Sequence, residues 1–135
     1  MHNDVFCRII RGEIPSHKIY EDADVLAILD ISQVTKGHVL VMPKEHYENF
    51  LATPQEIMHK VMDVAQRIGQ VQIKMLGAKG VNILSNVYEA AGQTVMHFHV
   101  HVIPRYENTD NFHLEMKENT EELNLPAIAD KIKLY

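Results

Sequence analysis

Three histidines stand at alternate positions in TVMHFHVHVIPR, Thr94 to Arg105, a run that is otherwise mostly β-branched and aliphatic. Side chains alternate across a strand, so His97, His99 and His101 share one face with Val95 and Ile103, while Thr94, Met96, Phe98, Val100 and Val102 take the other. The second set is a core face. The first spaces imidazoles about 6.6 Å apart, from a rise of about 3.3 Å per residue. A lone strand histidine is ordinarily a hydrogen-bonded core residue, an account that does not extend to three in strict alternation. Two chemistries are open. A metal needs ligand nitrogens about 2.0 to 2.1 Å away, whereas His97 and His101 have Cα atoms roughly 13 Å apart on a straight strand. Two neighbours could share an ion, with a further ligand from His38, His46 or Cys7. The other chemistry is nucleophilic. Neutral imidazole is well populated at neutral pH, and packing three together opposes charging more than one. Attack on phosphorus would leave a phosphohistidine-type intermediate for water to resolve.

The elements that must position these groups are legible in outline. Asp4 to Gly12 has apolar residues at helical spacing between an acidic cap and a glycine, and predicts a short helix. Residues 17–21, 25–30 and 38–43 are β-rich runs separated by turn chemistry, and predict an antiparallel meander. Thr53-Pro54-Gln55-Glu56 reads as a capping box with proline at the first helical position. It opens a long helix over about 54–76, with a stripe of Ile57, Val61, Ala65, Ile68, Met75 and Leu76. Residues 81–86 predict a strand, 87–93 a loop, and Thr94 to Ile103 the longest strand. A short closing helix is expected after Pro126.

With 135 residues, 46% of them hydrophobic, the chain has the size of one domain, expected over 1–135 with its core at about 4–105 and a variable segment at 106–135. A single cysteine precludes an internal disulfide. No apolar run is long enough to span a bilayer as a helix, and a cytoplasmic location is expected. The formal charge of -5, without a Lys/Arg block, argues against nucleic-acid binding. It leaves small phosphorylated ligands open, because distant charges are screened over about 8 Å.

GQTVMHFHVHVIPR resembles the signature of the histidine triad (HIT) family, His-φ-His-φ-His-φ-φ with φ apolar, matched at every position of His97 to Ile103. FCRIIRGEIPSHKIYED (6–22), LAILDIS (26–32), GHVLVMPKEHYENF (37–50) and LSNVYEAAGQ (84–93) are similar to family segments in the family's order. The resemblance implies an α+β fold, an antiparallel sheet with one long and one short helix, and a homodimer. It implies a purine nucleotide as substrate, with His99 as the nucleophile attacking the α-phosphorus, His101 contacting phosphate, His97 orienting the nucleophile, and His46 beside the triad. Asn86, Gln93 and Thr94 would contact phosphate or leaving group, which suits their amide and hydroxyl donors. Asp30 would accept from the ribose hydroxyls, and Phe6, Ile9, Ile14, Leu29 and Ile31 would line the purine pocket. His38 is read as structural. Some bacterial members bind zinc through Cys-x-x-Cys and histidines. Here that stretch is Asp4-Val5-Phe6-Cys7, where a carboxylate could replace the missing thiolate, and the expectation is a site without metal or other cofactor. The implied reaction is phosphoramidate or phosphoanhydride hydrolysis that releases the nucleoside monophosphate, as in the purine-nucleoside phosphoramidase-like branch. Dinucleoside polyphosphate hydrolysis, or a nucleotide- or partner-binding module with little turnover, are the alternatives.

Overall fold

The three N-terminal β-rich runs form the expected meander: β1 (Lys18–Glu21), β2 (Val25–Leu29) and β3 (Val39–Pro43) pair antiparallel in sequence order. The computed structural model describes residues 2–107 and 110–135; Met1, Asn108 and Thr109 lie outside the described residues. β4 (Gly80–Leu84) and β5 (Val100–Arg105) complete a five-stranded antiparallel sheet in the order β1-β2-β3-β5-β4. The last strand in sequence is therefore inserted beside β3, in the sheet interior, which brings the triad segment against residues from the first third of the chain.

Alternation divides two cores. Val25 and Ala27 of β2, Val39 and Val41 of β3, and Phe98, Val100 and Val102 pack under the long helix α2 (Gln55–Leu76) through Val61, Val64, Ala65 and Ile68. On the other face Leu26, Ile28, Leu40 and Met42 pack against Phe6 of the short helix α1 (Val5–Ile10), with Ile9, Ile10 and Val95 at the margin. A third helix, α3 (Leu125–Ile132), starts at Asn124, whose side chain caps Ala127 N–H, and includes Pro126 in its first turn. Every residue of α3 is exposed.

Three sequence expectations are corrected. β5 begins at Val100, not Thr94. Its ladder to β3 runs only from Val39–Val102 to Val41–Val100; beyond that Phe98 N–H donates to Tyr47 O instead, and Pro43 has no N–H to offer. The parity of residues 97–102 survives, because the segment stays packed between the same two cores. The capping box does not form either: Pro54 occupies the cap position without a side-chain cap, and Thr53 Oγ1 donates to Asn49 O. Finally, the apolar stripe of α2 leaves the core in its last turn, where Met75 is 70% exposed. The helix ends at Gly77 in the left-handed conformation, φ 74°.

Candidate active site

His38 is placed by the segment before β3. Gly37 has φ 95°, and a Cβ there would collide with Leu76 Cδ1, so glycine suits both the backbone of this turn and its close approach to α2. The buried Gln72 side chain donates to Gly37 O and Val102 O, tying α2 to the His38 turn and to β5. Across the ladder His101 stands opposite Leu40, and its Nδ1 lies 2.9 Å from His38 Nε2. Asp30 follows β2, where its Oδ1 accepts from Ser32 N–H and its Oδ2 lies 3.7 Å from His38 Nε2.

The tautomers of the other triad members are set by carbonyl partners, which can only accept. His99 Nδ1 donates to His97 O at 2.7 Å, leaving Nε2 as a bare lone pair. His97 Nε2 donates to Pro43 O at 2.9 Å, leaving its Nδ1 toward Cys7 Sγ at 3.4 Å and Asp4 Oδ1 at 3.4 Å. Ser85 Oγ donates to His99 O and holds the strand entry from the β4 side. Phe6 presents its ring to His99 edgewise, with centroids 4.8 Å apart. Burial holds His97, His99 and His38 below the ordinary histidine range. His101 is lowered to about 4 by burial and by repulsion from His99 and His38. All are neutral at pH 7.

One cleft collects Phe6, Asp30, Asn86, Gln93, Thr94, His99 and His101 of the residues expected from sequence, together with Gly92, Leu40 and Val95. Gln93 lines it, but its side chain faces inward: Nε2 donates to Glu48 O and Val95 O, and Oε1 accepts from Tyr88 N–H. It shapes the loop that carries Thr94. Leu29 is placed elsewhere. By strand parity it lies with Val25 and Ala27 on the α2 face, and it lines a groove there with Tyr20 and Val39. Ile9 packs at the margin of the α1 core, Ile14 is half-buried outside the lining, and Ile31 is 89% exposed. Apolar residues near a site carry no parity signal unless the strand register is known. Local sequence gives His38 too little weight; the signal available for it is its position at the start of a strand predicted to pair near the triad.

His97 and His46 belong to a second cluster behind the cleft. Asp4 caps α1 through Oδ1 on Cys7 N–H, and its Oδ2 accepts from the Cys7 thiol and from His46 Nδ1. His2 stacks on His46 at 3.7 Å between ring centroids. The relevant atoms of Asp4, Cys7, His46 and His97 all lie within 4.8 Å of one another. A carboxylate, a thiol and two imidazoles form a donor set of the zinc class, and the His97 Nε2–H bond to a main-chain carbonyl is the support such ligands ordinarily have. The residues fit a metal. Without one, burial and then Asp4 raise the Cys7 thiol to about 11, and it stays protonated.

A model of the HIT domain matches residues 11–108. The chain belongs to the HIT domain family. It is 48% identical to the protein hit of Bacillus subtilis over 110 residues, 82% of this chain and 76% of that one. To the adenylylsulfatase HINT3 of Arabidopsis thaliana it is 42% identical over 108 residues, 79% of this chain and 55% of the plant protein. A crystal structure of a HIT family member from Bacillus subtilis superposes with a TM-score of 0.90 at 42% identity, covering 97% of this chain and 95% of that one. A zinc-bound histidine triad protein from Mycobacterium smegmatis gives 0.75 at 43% identity, covering 87% and 85%.

Proposed function

We propose that this HIT-family chain is a nucleotide hydrolase that cleaves a phosphoramidate or phosphoanhydride bond at the α-phosphate of a purine nucleotide and releases the monophosphate. One observation carries the reading: His99 donates from Nδ1 to His97 O, which leaves its Nε2 lone pair in a cleft that also holds Asp30, Asn86, Thr94 and His101. The adenylylsulfatase relative supports hydrolysis at a nucleotide phosphate.

In the first step the His99 Nε2 lone pair forms a bond to the α-phosphorus, the bond from phosphorus to the leaving nitrogen or oxygen breaks, and the departing atom takes up a proton from solvent. Thr94 and Asn86 donate to the phosphate oxygens or the departing atom as charge develops. Water then attacks the phosphorus and gives up a proton to solvent, the P–Nε2 bond breaks with its pair returning to Nε2, and His99 returns to the neutral tautomer held by His97 O. Asp30 accepts from the ribose hydroxyls, and Phe6 with Leu40 and Val95 offers the apolar wall for the base. A zinc-class ion, when bound, would be held by Asp4, Cys7, His46 and His97 and would supply a structural tie between α1 and the triad segment. The chain is expected to act as a homodimer.

The test is mononucleotide release from a panel of adenosine and guanosine phosphoramidates, sulfates and dinucleoside polyphosphates, run beside His99→Ala. Loss of at least about a thousandfold in kcat is expected, since the nucleophile itself is removed. Unchanged hydrolysis by His99→Ala would sink the nucleophile, and no release by the wild type from any member of the panel would favour a binding module.

A further inference from the structure

The tautomers of His97 and His99 are set by main-chain carbonyls, but that of His101 is set by another side chain. The 2.9 Å between His38 Nε2 and His101 Nδ1 holds one proton, so one nitrogen donates and the other accepts. The surroundings of His38 decide which. Among the described residues its Nδ1 is buried without a partner, and a buried orphan donor is the rarer and costlier arrangement. Its Nε2 faces the Asp30 carboxylate at 3.7 Å, which favours a proton on that nitrogen. His38 therefore carries Nε2–H and donates to His101 Nδ1. His101 must then carry its own proton on Nε2, the ring nitrogen left for the cleft.

We infer that His38 is a positioning residue for the reaction, holding neutral His101 as the Nε2–H tautomer so that it donates to a phosphate oxygen. In the opposite tautomer a bare Nε2 lone pair would face an anionic oxygen, acceptor against acceptor. Asp30, placed to receive the ribose, also biases the proton of His38, and so links the sugar end of the cleft to its phosphate end. His38 is 3% exposed and is not part of the cleft lining, so it acts through His101. The identity of the acceptor rests on the nucleotide reading, while the tautomer does not.

Long-range 1H–15N correlation spectra of the uniformly 15N-labelled full chain at neutral pH test this directly. The wild type, free and with AMP, is expected to show His101 protonated at Nε2 and bare at Nδ1. Protonation at Nδ1 overturns the inference. His38→Gln keeps an N–H donor close to Nε2 and is expected to preserve the His101 tautomer. His38→Leu removes the donor, and a mixture of His101 tautomers with AMP binding weakened about tenfold is expected, the scale of one charge-assisted hydrogen bond. A pure Nε2–H His101 in His38→Leu overturns the inference too. The wild-type spectrum depends on no variant folding. If mononucleotide release fails while the tautomers are as expected, the nucleotide reading fails and only the His101 tautomer set by His38 stands; the reverse pattern separates them the other way.

Discussion

At the scale of single residues the site is a set of neutral imidazoles, each with one nitrogen committed. Neutrality has a consequence for stability. Histidines 38, 97, 99 and 101 are all depressed below the ordinary value of about 6.5, so between that value and the folded one the unfolded chain binds protons that the folded chain refuses. Stability is therefore full above pH 6.5 and falls as pH drops toward about 4, the His101 value. Melting temperature against pH should decline over that window, and His101→Gln should flatten the slope; a level wild-type curve contradicts the reading. None of the clustered donors Asp4, Cys7, His46 and His97 lines the cleft, and no proposed step uses their side chains. Initial rates after exhaustive chelation should equal those before, and a rate restored only by added zinc would show that the reaction depends on the metal.

At the scale of elements, β5 works through parity: Phe98, Val100 and Val102 secure the strand segment under α2, and this fixes where the histidines point. Phe98 is 1% exposed and contacts Phe50 edgewise. Phe98→Ala should destabilise by about 3–5 kcal/mol in urea unfolding. Helix α1 is only six residues long, too short to persist alone, and depends on its Asp4 cap and the packing of Phe6. Asp4→Ala removes the cap and the acceptor of Cys7 and His46 together. A loss of at least about 1 kcal/mol is expected in the same assay, with weaker nucleotide binding because Phe6 is the wall that faces His99. Unchanged stability would show that α1 is held by packing alone.

At the scale of the molecule, the edge strand β4 and the adjoining face of α2 leave apolar surface uncovered. Ile83 and Ile73 are each about half exposed beside Met62, Gly69 and Val81. A row of unpaired strand groups next to an apolar face is the arrangement that joins sheets between copies. The homodimer expected from the family would use this edge. Sedimentation equilibrium of the wild type should give twice the chain mass, and Ile83→Lys should shift it toward the monomer. A monomeric wild type at micromolar concentration would reject the assembly.

Much of this was legible in the chain before any fold was known. Alternation in residues 97–102 marked a histidine face and a core face, because period two depends only on the extended backbone. The family-wide pattern named His99, Asp30, Asn86 and Thr94, and the cleft brings them together. Local chemistry also located all five strands to within a few residues, apart from the early start given to β5. What local sequence could not hold was register. Leu29 and Asp30 are neighbours in the chain, yet Leu29 packs toward α2 while Asp30 reaches the cleft, and only the pairing of β2 with β3 decides that. The same holds for His38 and His101, 63 positions apart. Their shared proton exists because β5 is inserted beside β3, a long-range choice that no local spacing encodes.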